Sequence, residues 1–130
     1  MNDIADRFFA AVCSGDAATL TDLYAPDAKI WHNDDGIEET VAENLRVLRW
    51  LSRTLENLRY EDIRRYELPE GFAQQHVLRA DLPGHGPIEV PASLFVKVID
   101  GRITRIDEYA DSAAIRPLRE TAAARLEQSR

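Results

Sequence analysis

The second half of this chain is a run of strand-forming stretches broken only by short turns, and that pattern commits it to a sheet. The stretches cover about residues 57–68, 71–82, 87–99 and 102–110. Between them stand Pro69-Glu70-Gly71, Pro83-Gly84-His85-Gly86-Pro87 and Asp100-Gly101. Connections this short join antiparallel neighbours, because a parallel return needs a long crossover. Asp100-Gly101 is the strongest hairpin signal, flanked by Phe95-Val96-Lys97-Val98-Ile99 and Arg102-Ile103-Thr104-Arg105-Ile106. The stretch at 57–68, with Leu58, Ile63 and Arg64-Arg65, reads equally as a continuing helix.

The first half is helical in period. Ile4, Phe8, Ala11 and Val12 recur at helical spacing, with Phe9 alongside, and Ser14-Gly15 ends the run. Asp16 caps a short second helix with Leu20, Leu23 and Tyr24, which stops before Pro26. Residues 28–33 read as a strand ending at the turn Asp34-Asp35-Gly36. Residues 37–56 return to helical spacing through Val41, Leu45, Leu48 and Leu55, with Trp50 as the largest apolar side chain. Two short amphipathic helices cannot cover their own apolar faces, so they need a sheet to lie on. A strongly curved antiparallel sheet packed against three N-terminal helices encloses a cone, an α+β arrangement with an interior.

Composition narrows the function. At 130 residues, 45% hydrophobic and 30% charged, the chain is expected to be one folded domain, residues 1–116, followed by a C-terminal tail, 117–130. Its net charge of −7 and scattered arginines argue against a nucleic-acid partner, since binding phosphates takes clustered cations. Cys13 is the only cysteine, which excludes an internal disulfide and a cysteine zinc site. No apolar stretch approaches the ~20 residues of a membrane helix. The acidic N-terminus lacks the basic segment and apolar run of a signal peptide, so a cytoplasmic location is expected. No glycine-rich phosphate loop appears, and no cofactor is expected. A metal site from His32, His76 and His85 would need a convergence that strand alternation does not favour.

Two titratable residues close strands far apart in sequence, His32 after Ile30-Trp31 and Asp111 after Tyr109-Ala110. Alternation puts Ile30 and His32 on one face of the early strand, and Asp107, Tyr109 and Asp111 on one face of the last. If both faces line one cavity, Asp111 orients the imidazole and raises its pKa, giving an acid–base pair that works near neutrality. The competing reading has Asp111 capping a helix that starts near Ser112, where Asp before Ser-Ala-Ala is a good N-cap.

The order of elements, with Phe8-Phe9-Ala10-Ala11, Ser14-Gly15-Asp16, Leu23-Tyr24-Ala25-Pro26-Asp27-Ala28, Trp31-His32-Asn33, Asp100-Gly101-Arg102-Ile103 and Glu108-Tyr109-Ala110-Asp111, resembles the nuclear transport factor 2-like fold, and within it the SnoaL-like group, over residues 3–116. The resemblance implies a conical pocket but no single reaction, since this fold hosts isomerases, cyclases, dehydratases, hydrolases and non-catalytic domains.

Against ketosteroid isomerases, Phe8 stands at the oxyanion-donating tyrosine, His32 at the general-base aspartate and Ser93 near the protonated aspartate. Phe8 cannot donate a hydrogen bond, so that mechanism is not expected. Against limonene epoxide hydrolases, Asp111 matches a catalytic aspartate. The Arg-x-Asp pair there falls on Gln75 and Val77 unless the register shifts to Arg79-Ala80-Asp81. Against SnoaL-like polyketide cyclases, Asp111 looks like the acid/base aspartate.

The expectation is a small-molecule enzyme doing cofactor-free acid–base chemistry (cyclisation, isomerisation, dehydration or hydration) on an apolar, cyclic substrate. His32 is its candidate base, Asp111 the partner or acid, and Phe8, Ile30, Trp50, Ser93 and Tyr109 its substrate contacts. The alternative is a non-catalytic ligand-binding or dimerisation module. The resemblance implies a homodimer, paired across convex sheet faces, under both.

Overall fold

The computed structural model describes residues 2–128. Helix α1 (Asn2–Ser14) and helix α2 (Ala17–Leu23) are split by Gly15, whose φ of 71° ends the first helix. Asp16 caps α2 by accepting from Thr19 N at 3.1 Å. Strand β1 (Tyr24–His32), the short β2 (Glu38–Thr40) and helix α3 (Val41–Thr54) follow. The helix expected from residue 37 therefore starts later. Thr40 and Glu43 form a reciprocal capping box that fixes its first turn.

Strands β3 (Glu56–Leu68), β4 (Gly71–Leu82), β5 (Gly86–Ile99) and β6 (Arg102–Ala110) form the meander, and helix α4 (Ser112–Gln128) closes the chain. The segment with two possible readings is a strand. The sheet order is β2-β1-β6-β5-β4-β3. All neighbours are antiparallel except β1 and β6, which run parallel.

Irregularities in register curl the sheet. In β3 the pairing with β4 shifts twice, next to Asn57 (φ 57°) and Asp62 (φ 55°). Asn and Asp are the non-glycine residues that enter this left-handed region most easily, and a bulge there bends the strand. A further shift in the β5–β6 pairing puts Lys97 opposite Arg105 but Val98 opposite Ile103, so Thr104 is the extra residue. Asp100 (φ 52°) and Gly101 (φ 77°) both take positive φ in the two-residue turn beside it.

One concave side results. Phe72, Gln74, His76, Ala80 and Leu82 of β4 are buried there, as are Ile88, Val90, Leu94 and Val96 of β5. Two apolar clusters fill its ends. One joins α1 and α2 to Phe72, Val96 and Ile103, and the other joins Leu55, Leu82, Val90 and Leu118. Leu118 and its neighbours Arg119 and Thr121 thus belong to the packed wall, although the sequence places them in a tail. Among the described residues no helix is long and apolar enough to cross a membrane.

Candidate functional site

Between the two clusters lies a cavity of about 1140 Å³, lined by residues of both, Phe8 and Ile30 from one and Val90 and Leu118 from the other. The parallel pairing of β1 with β6 sets His32 directly opposite Glu108. Asn33 extends that pairing by one residue, accepting from Ala110 N at 2.8 Å and donating to Ala110 O at 3.3 Å. Both side chains turn into the cavity, with His32 Nε2 3.2 Å from Glu108 Oε1.

On its other side, His32 Nδ1 is 3.9 Å from Glu39 Oε1, too long for a hydrogen bond but close for two charges. Glu39 is buried and accepts from Asn44 Nδ2 at 3.1 Å, and Tyr24 donates its hydroxyl to Asn44 Oδ1 at 2.6 Å. Burial alone pushes the imidazole pKa down. The hydrogen bond and charge of Glu108, then the charge of Glu39, outweigh that, and His32 ends above its ordinary value. Burial, with Glu39 and Glu108 nearby, pushes the Tyr24 phenol far up, so it stays protonated.

This geometry revises the expected division of labour. Nε2 is occupied by Glu108, and Nδ1 is buried with no hydrogen-bond partner among the described residues, so neither nitrogen is offered to a guest. Among the described residues nothing bonds Glu108 Oε2. The carboxylate, and not the imidazole, presents the open basic atom.

Asp111 is not brought to His32. Its side chain is exposed and accepts from Ala113 N and Ala114 N, both at 3.0 Å, capping α4. Tyr109 lies on the same outer face, half exposed, its ring 5.2 Å from that of Trp31. Ser93 pairs with Tyr109 in register and lines an outer groove with it, so neither is a cavity contact. Phe8, Ile30 and Trp50 do line the cavity, and Trp50 Nε1 is buried there without a partner among the described residues.

Residues 75, 77, 79 and 81 share the outer face of β4, and Arg79 is held there by Glu61, Asp62 and Glu89. The hydrolase-type Arg-x-Asp pair therefore does not reach the cavity in either register. Glu108, Glu39 and Tyr60 line the cavity too, with nothing in the sequence to single them out, as does His76, weighed there only as a metal ligand. Burial pushes the Cys13 thiol up, which makes it a poor nucleophile. No three His, Cys, Asp or Glu side chains among the described residues are grouped to hold a metal ion.

The sequence pattern of the SnoaL-like domain matches residues 5–106. No curated protein matches the sequence. Among solved structures, a candidate SnoaL-like polyketide cyclase of Shewanella putrefaciens superposes with a TM-score of 0.78 at 14% identity, over 89% of this chain and 93% of that one. IdmH of Streptomyces antibioticus, a candidate polyketide cyclase, gives 0.73 at 24% identity over 87% and 93%. A Catenulispora acidiphila protein with a ketosteroid isomerase-like fold, in complex with trimethylamine, gives 0.75 at 18% identity over 86% and 88%. Likeness at such identities shows the fold. With the match over most of its length and the same curled α+β architecture, this chain belongs to the SnoaL-like domain family.

Proposed function

We propose that this protein is a small-molecule enzyme performing cofactor-free proton transfer on an apolar, cyclic substrate, in the class of cyclisation, isomerisation, dehydration or hydration. The observation that carries this reading is the His32–Glu108 contact inside a cavity of about 1140 Å³, with the second carboxylate oxygen unbonded by any described residue. In this reading Glu108 Oε2 is the general base. His32, as an imidazolium between Glu108 and Glu39, fixes the carboxylate in place and balances its charge. Apolar walls from Phe8, Ile30, Leu94 and Ile106 exclude water, which strengthens each electrostatic contact.

Glu108→Gln keeps the shape and removes the base. It should reduce turnover by at least about a hundredfold, the usual contribution of a positioned base, with the fold retained by circular dichroism. Full activity in that variant rejects the role.

The second reading, a ligand-binding module, draws on the enclosure of both His32 nitrogens, which also suits a satisfied polar cluster. Thermal shift with apolar ligands separates the two: stabilisation with product formation supports the enzyme, stabilisation without conversion the binder. Under both, the outer sheet face with Tyr66 (55% exposed), Phe95 (50%) and Tyr109 (49%) is where a second copy would pack.

A further inference from the structure

His76 is a buried imidazole that the Glu108–His32 pair leaves unused. It sits on β4, three inter-strand steps from His32 on β1, or about 14 Å along the sheet. It lines the same cavity, with the ring of Tyr60 4.7 Å away and that of Phe9 5.4 Å away.

Its protonation state follows from a chain of hydrogen bonds that runs in from the surface. Arg65 Nη1 donates to Asp6 Oδ1 at 2.8 Å, and Arg65 Nε donates to Gln74 Oε1 at 2.8 Å. A guanidinium has no acceptor, so the Gln74 atom facing it is the carbonyl oxygen. The amide nitrogen of Gln74 then faces His76 Nδ1 at 2.8 Å, and that nitrogen can only donate. Nδ1 must accept, which leaves the single proton of a neutral imidazole on Nε2. A second proton on Nδ1 would meet the amide N–H head on. Burial also pulls the His76 pKa down, against a smaller upward pull from Glu108.

No described residue bonds His76 Nε2, and it is not among the sealed, unpartnered atoms of the interior. The Tyr60 hydroxyl is in the same position, and burial keeps that phenol protonated. This part of the cavity wall, on β3 and β4, therefore presents neutral donors.

We propose that His76 Nε2–H, held in that tautomer by Gln74, Arg65 and Asp6, donates a hydrogen bond to the substrate oxygen on which negative charge gathers. This rests on the reading of Glu108 as base. Glu108 Oε2 takes a proton from a carbon next to a carbonyl, and the C–H electron pair becomes a C=C bond. The carbonyl π pair moves to oxygen, which accepts from His76 Nε2–H. In a substrate with a C=C bond one carbon further on, the oxygen pair then re-forms the carbonyl and the new C=C pair shifts one bond along. The far alkene carbon takes the proton back from Glu108, so the balance needs no co-reactant. A neutral donor suits this step, because it stabilises the oxyanion without protonating it. Gln74, Arg65 and Asp6 are positioning residues.

The test uses the whole protein and two probes, 2-naphthol and naphthalene, which differ by one oxygen. Wild type should bind 2-naphthol more tightly. His76→Phe, which keeps an aromatic ring beside Phe9 and Tyr60, should weaken 2-naphthol binding by about tenfold and leave naphthalene binding unchanged. Nitrogen-15 NMR should show the wild-type His76 proton on Nε2 at pH 7, and Gln74→Glu should place a proton on Nδ1. A wild-type His76 that is an imidazolium or carries its proton on Nδ1 overturns the proposal, as does equal affinity for the two probes. The NMR result on wild type stands even if the Phe variant does not fold. Neither readout involves turnover, so a failure of Glu108 as base appears only in the Glu108→Gln assay and a failure of His76 only here.

Discussion

His32 Nε2 and Glu108 Oε1 lie 3.2 Å apart at the parallel junction of β1 and β6, the one place in the sheet where two distant segments run the same way. A second carboxylate, Glu39, stands 3.9 Å from the other ring nitrogen. An imidazole between two carboxylates is favoured as the cation, and the consequences are measurable.

The His32 titration should have its midpoint above the ordinary value of about 6.5, followed by the ring C–H resonances in proton NMR. Glu108→Gln removes the main upward influences and leaves burial opposed by Glu39 alone, so the midpoint should fall. An unchanged midpoint contradicts the pairing.

The half-buried His32 and the buried His76 should give opposite pH dependences of stability. The pKa of His32 is raised on folding, so its contribution is complete below about pH 6.5 and is lost as pH rises through the folded value. The pKa of His76 is lowered, so its contribution is complete above about pH 6.5 and is lost as pH falls through the folded value. In melting curves across pH, His32→Asn should flatten the alkaline decline and His76→Phe the acid decline. The reverse assignment refutes the two environments.

Asp111→Ala should cost about 1 kcal/mol, the usual loss for an N-cap, because Ala113 N and Ala114 N lose their acceptor. Turnover should persist, since this side chain faces solvent outside the cavity. Urea denaturation and a rate assay together decide the point: inactivity with unchanged stability would return Asp111 to the chemistry.

The Tyr24–Asn44–Glu39 chain should be sensitive to which link is cut. Tyr24→Phe removes only the donor to Asn44 Oδ1 and should cost about 1–2 kcal/mol. Asn44→Leu leaves both the Tyr24 hydroxyl and a buried Glu39 oxygen without a partner, and should cost more, about 3 kcal/mol. Equal losses in urea denaturation would mean the chain is not connected as described.

Strand alternation made much of the fold legible. Turn chemistry at 69–71, 83–87 and 100–101 marked β4 to β6 to within a residue or so but left β3 open between strand and helix, and helical spacing marked α1 and α2. β2 was not legible, because three residues carry no period of their own. The candidate site was half legible. His32 was found because a polar residue ends an apolar strand, whereas Glu108 sits among alternating charges in β6, beside Asp107.

What the residues determine alone is local: which segments extend, which coil, where each turns, and which side chains share a strand face. Only the tertiary structure decides which face is concave. The extra residue Thr104 shifts the face of β6, so Ile103 and Ile106, three apart, are both buried, and Glu108 instead of Asp111 follows Ile106 inward. Without that bulge, Ile103 would share its face with 105, 107, 109 and 111, the alternation a uniform strand implies. Long-range pairing sets the bulge, and no local period records it.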